Sequence, residues 1–280
     1  MGTKRSWEGQ PLGLHTKSDA SMASAEPVGI FQSIFENFRN ELDEHHDRRE
    51  RIIKVSRDIT ALSKKNIFAL QRVRAINQPI PPKIAQENQT RLDTIDKLFT
   101  SIVSDVAGIN SWRYQRQIGG AIQEFIEAIS FDHYLRTQTL ITHAEVTTRV
   151  PAGIMVTEED YVMGLFDLTG EMMRFAVLQL SSGNATATQE TQESAEPQAP
   201  SLSPEQAGIV VDLRAMRARF EALSVPRKYH MLRDLHKKVE VMQNSVEKVE
   251  RAAYGILVRG SERPSGWTPD LSAPMEVETH

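Results

Sequence analysis

Four acidic residues carry the spacing in this chain that is best suited to chemistry. Glu124 and Glu127 form a Glu-x-x-Glu pair, and Asp167 and Glu171 form an Asp-x-x-x-Glu pair. Residues three or four apart share a helix face, so each pair is predicted to point two carboxylates one way. Both pairs sit among apolar residues: Ile122, Phe125, Ile126 and Ile129 around the first, Val162, Leu165, Phe166 and Met172 around the second. A carboxylate bordering an apolar face needs a partner, because an unpaired buried charge is costly. Spacing alone leaves two partners open. Two acidic faces turned into a helical bundle suit a hard cation, Mg²⁺ or Mn²⁺, held through oxygen. The other reading is salt bridges to Arg116, Arg136 or Arg174. A di-iron site of the Glu-x-x-His kind is not expected, since His133 lies six residues beyond Glu127 and off its face.

The elements that must position these acids read as helices. From Val28 to Asn77 apolar residues recur at helical spacing without a proline, which predicts one very long helix or two nearly coaxial ones. Pro79, Pro81 and Pro82 end it. A second helix is expected from Ile84 to Val106, stopping at Gly108, and a third from Ser111 to Leu140 carrying Glu124 and Glu127. Residues 141–157 form a connector. Thr157 then reads as an N-cap with Glu158, Glu159 and Asp160 in the first turn of a helix that runs to Leu180 with Asp167 and Glu171. Two more helices are expected, one around Ile209–Leu223 ending before Pro226 and one from Tyr229 to Val258. The fold class is all-α: an antiparallel bundle of about six or seven helices, with almost no strand signal. Residues 1–27 read as a disordered tail, 28–262 as the helical domain, 181–204 as a low-complexity insertion and 263–280 as a flexible tail.

Composition narrows the chemistry. The 280 residues are 25% charged and 40% hydrophobic, enough for a sizeable core. There is no cysteine, which excludes disulfides, thiolate metal sites and thiol catalysis. No apolar run reaches the length of a membrane span, and Met1–Ser6 matches only the loose N-myristoylation pattern. The net charge of −4 does not suggest a nucleic-acid binder, but the charge is uneven. Lys64, Lys65, Arg72 and Arg74 form a run without an acid, able to contact phosphates. The long apolar stripes of the first and last helices read as core, with more apolar face than one small bundle needs, so association through helices is expected.

Four blocks resemble a known family in the right order: Asp43–Thr60, Gln123-Glu-Phe-Ile-Glu-Ala-Ile-Ser-Phe131, Asp160–Arg174 and Val258-Arg-Gly-Ser-Glu262. They are similar to the translin family, in particular to its translin-associated factor X (TRAX) branch, over about residues 30–262 apart from the insertion. The resemblance implies a helical subunit joining translin in a closed, octamer-like hetero-oligomeric shell. It implies a Mg²⁺-dependent endoribonuclease acting on single-stranded RNA, in small-RNA passenger-strand or tRNA-fragment processing, with single-stranded DNA as a further ligand. Glu124, Glu127, Asp167 and Glu171 match the family's catalytic positions, with Glu127, Asp167 and Glu171 as metal ligands and Glu124 a ligand or the group orienting the attacking water. Cytoplasmic and nuclear localisation is implied, although Lys4, Arg5 and Lys17 are few for a nuclear-targeting cluster. Two alternatives stand beside this: a non-catalytic helical adaptor for translin and nuclear proteins, and an all-α nucleotide pyrophosphohydrolase.

Overall fold

The computed structural model describes residues 30–186, 202–225 and 234–259. The two expected tails, most of the 181–204 insertion and the segment before the last helix lie outside the described residues. Eight helices are found among the described residues, and no strand: α1 (Ile30–Leu70), α2 (Pro82–Ile102), α3 (Asn110–Arg113), α4 (Gln115–Thr137), α5 (His143–Thr147), α6 (Glu158–Thr186), α7 (Pro204–Glu221) and α8 (Leu235–Arg259). The all-α antiparallel bundle expected from sequence is the fold observed. The two helices beyond the six placed individually from sequence are α3 and α5, each a single turn or little more.

The chain divides into two units, residues 1–46 and 47–280. In the first, Phe31, Ile34, Phe35, Phe38 and Leu42 follow helical spacing and are all exposed. This part of the stripe read as core is therefore an uncovered apolar face in the described chain.

In the second unit α4 is the central helix. Thirteen of its 23 residues are buried. Ile118, Ile122, Phe125, Ile126 and Ile129 face a cluster with Ile52 and Ile59 of α1 and Ile95 and Phe99 of α2. Ala128, Phe131, Tyr134 and Leu135 face a second cluster with residues of α6, α7 and α8. α6 packs against α4, α7 and α8. Gly164 lets α4 and α6 approach: a Cβ there would stand 2.7 Å from Ile126 Cγ2 and 2.9 Å from the Gln123 carbonyl oxygen. Asp160 fixes their register. It is 4% exposed, shares a reciprocal cap with Thr157, and accepts from Gln115 Nε2 at 2.6 Å and Gln123 Nε2 at 3.0 Å. The expected first-turn acid Asp160 is thus also a clamp between helices.

Helix ends differ from expectation where tertiary packing takes over. α1 stops at Leu70, not Asn77, and the chain turns so that Val73, Ile76 and Ile80 enter the core. Asn77, at φ +55°, bonds through its amide to the Leu135 carbonyl and through Nδ2 to Gln138. The helix expected from Ser111 to Leu140 is broken at Tyr114, whose side chain is buried and whose backbone leaves helical geometry. α6 continues past Ser181 to Thr186, so the insertion begins later than its composition indicates; Ser181 Oγ bonds back to the Val177 carbonyl within the helix.

Candidate carboxylate site

The two acidic faces meet. Glu124 and Glu127 of α4, with Asp167 and Glu171 of α6, line one cavity of about 580 Å³ together with Lys64, Phe68 and Gln71 of the α1 end. The close α4–α6 approach at Gly164 brings the pairs together, since Gly164 lies three residues before Asp167 on the face that meets Ile126.

Three of the acids have basic partners. Lys238 of α8 bonds to Asp167 Oδ1. Lys64 Nζ stands 3.7 Å from Glu124 Oε2, and Arg174 Nη1 donates to Glu171 Oε1 at 2.5 Å. Gln71 Nε2 also donates to Glu171 Oε2 at 2.7 Å and to the Glu171 carbonyl at 3.0 Å, tying the end of α1 to α6. Of the salt-bridge partners read from sequence, Arg174 does pair with Glu171, whereas Arg136 pairs with Asp132 one turn away on its own helix.

Glu127 is the exception. It is 8% exposed and has no hydrogen bond or ion pair among the described residues. Burial, then the negative charges of Asp167, Glu124 and Glu171, push its carboxyl from 4.5 up to about 8, with Lys238 pulling the other way. Glu124 is also raised, by burial first and against the opposing charge of Lys64. With its carboxyl at about 8, Glu127 is mostly protonated at neutral pH.

A hard cation fits this donor set in chemistry: four oxygen-only ligands, one of them buried without a protein partner. Among the described residues no three His, Asp or Glu side chains stand close enough together to grip an ion as they are. The side chains at the site would have to close in, with Lys64 and Lys238 giving up the acids they hold.

The four residues expected to contact phosphate separate. Lys64, Lys65 and Arg72 line a neighbouring cavity of about 400 Å³ with Arg91 and Glu87, and Arg72 and Arg91 both pair with Glu87. Arg74 is not part of it; its carbonyl accepts from Gln179 Nε2. Sequence reasoning missed Gln71, Phe68 and Lys238. The first two were findable in a helix running through Asn77, where Lys64, Phe68 and Gln71 fall four and three apart on one face; Gln71 in fact lies in the turn just past α1. Lys238 had no local signal, being 71 residues from Asp167.

The chain resembles known proteins in sequence and in fold. A sequence model of the Translin family matches residues 47–260. The chain is 29% identical to rat (Rattus norvegicus) translin-associated protein X over 90% of its own length and 86% of the relative's. It is 29% identical to the Schizosaccharomyces pombe translin-associated protein X homolog over 82% and 89% of the two chains. Identity to human translin is lower, at 22% over 81% and 92%. Among solved structures, apo-NeC3PO superposes with a TM-score of 0.56 at 16% identity, covering 78% of this chain and 94% of that one. AfC3PO gives 0.54 at 21% identity, covering 78% and 93%. Those likenesses establish the fold.

Proposed function

This chain belongs to the Translin family, on the side of translin-associated protein X, and from that premise we propose that it is the catalytic subunit of a divalent-metal-dependent endoribonuclease. It works in a hetero-oligomer with translin and hydrolyses phosphodiesters of single-stranded RNA. One observation carries the reading: four carboxylates from two helices face one cavity, and one buried acid among them, Glu127, has no protein partner. A scaffold would be expected to pair Glu127 or replace it by an apolar residue, because an unpartnered buried acid costs stability.

Glu127, Asp167 and Glu171 are the residues that would hold the ion, Mg²⁺ or Mn²⁺. When bound, such an ion supplies a deprotonated water and neutralises charge on the phosphate. Glu127 carries a proton at its carboxyl at rest and releases it as the site fills. Glu124, at the less buried edge, orients the attacking water or completes the ligand set. Gln71 and Arg174 hold the Glu171 carboxylate in a fixed orientation. Lys64, whose side chain is largely exposed, is free to turn from Glu124 to an incoming phosphate.

The test is cleavage of single-stranded RNA by the co-expressed complex with Mg²⁺. Glu127→Ala and Asp167→Ala should each lower turnover by orders of magnitude without dissolving the assembly, and intact turnover in either variant defeats the assignment. One observation favours a second reading, that of a non-catalytic adaptor: three of the acids are already ion-paired. It predicts unchanged assembly and function with all four acids neutralised.

A further inference from the structure

Phe68 stands out on α1. Its neighbours Asn66, Ile67, Ala69 and Leu70 are all buried, whereas Phe68 is 76% exposed. Phe68 lines both cavities, the one with the carboxylates and the one with Lys64, Lys65, Arg72 and Arg91. Lys64 and Phe68, four apart, share one face of α1, and Arg72 follows in the turn just past its last residue. The basic cavity has a single acid, Glu87, which two arginines already share, and Lys65 has no ion pair among the described residues. The surface therefore runs from excess positive charge, over an exposed aromatic ring, to the proposed reaction site.

We propose that Phe68 is a base-stacking platform that positions an unpaired nucleobase next to the scissile phosphate. The inference rests on the nuclease reading above. Basic groups spaced along a groove follow a phosphate backbone, and an aromatic face between them takes a base whatever its identity. With the backbone on Lys65, Arg72 and Arg91 and one base on Phe68, the strand is directed toward Glu124 and Glu127. A paired base is already stacked within its duplex and cannot lie on the ring, so Phe68 also selects single strands. Phe68 is a positioning residue: it touches the substrate away from the reacting atoms.

The experiment uses the translin complex with an oligoribonucleotide carrying 2-aminopurine, and compares wild type with Phe68→Ala, Phe68→Leu and Phe68→Trp. Loss of one base stack should raise KM for single-stranded RNA about tenfold (~1.4 kcal/mol) in the Ala and Leu variants, with a smaller change in kcat. Trp should restore wild-type KM. Quenching of 2-aminopurine should accompany binding to wild type and Trp and be lost in Ala, and the preference for single-stranded over duplex RNA should shrink in Ala. The complex should keep its size in gel filtration. Unchanged KM in Ala, rescue by Leu as complete as by Trp, or collapse of the assembly in Ala would each overturn the proposal, the last by making Phe68 a subunit contact. Failure of the wild-type complex to bind or cleave RNA would instead bring down the nuclease reading itself.

Discussion

Replacing Glu127 by glutamine should make the metal-free protein more stable while removing its activity. The side chain is buried, has no partner, and faces three other carboxylates, which together push its carboxyl up to about 8. Between about pH 4.5 and 8 the folded chain keeps a proton on Glu127 that the unfolded chain has released. Stability therefore falls as pH rises through that window, and the loss levels off above it. At pH 7 the wild type has lost the equivalent of two and a half pH units, at ~1.4 kcal/mol each, or about 3 kcal/mol. Glutamine is neutral in both states and avoids this cost, less whatever its amide loses by finding no full set of hydrogen bonds. Urea unfolding of the full chain in chelator should show Glu127→Gln gaining almost nothing at pH 4.5 and about 2–3 kcal/mol at pH 7. Under the proposed function, saturating Mg²⁺ should raise the stability of the wild type and leave the variant unmoved. A variant that is less stable than wild type in chelator at pH 7, or whose advantage does not change between pH 5 and 8, would refute the reasoning.

Gly164→Ala places a Cβ against Ile126 and the Gln123 carbonyl, so it should cost about 1–3 kcal/mol. Because α4 and α6 are pushed apart, turnover of single-stranded RNA should fall as well, and a variant with wild-type melting and turnover would show that the close approach does not set the site. At Asp105, the hydrogen bonds from Arg51 hold the carboxyl below its ordinary range, helped by the Arg51 and Arg48 charges and opposed by burial. That contribution is present above the unfolded value near 3.8 and is lost as pH falls below it. Asp105→Asn should therefore cost about 1 kcal/mol at pH 7, discounted because Arg51 is half exposed. The gap should close toward pH 3, as read from acid unfolding curves; a constant gap would assign the effect to packing.

The sequence by itself determined the class of fold and the identity of the acids. Helical periodicity, proline stops and the Thr157 cap are local signals, and Thr157 opens α6 as its chemistry requires, whereas Ser203 caps α7 within the segment read as insertion. Glu124 with Glu127 and Asp167 with Glu171 were readable because the helical repeat alone puts each pair on one face. Helix ends governed by burial were not readable: Tyr114 breaks a helix its propensity would continue, and the residues after Leu70 leave α1 to bury Val73 and Ile76.

Only the tertiary structure decided that the two acidic faces share a cavity, because the missing Cβ of Gly164 sets how closely α4 and α6 approach. It also decided the charge state of the site. Lys238 arrives from a helix distant in sequence to neutralise Asp167, and Glu127 is left as the one acid without a base. A carboxyl's pKa depends on burial and on charges within a few ångströms, and those distances exist only once the helices have packed.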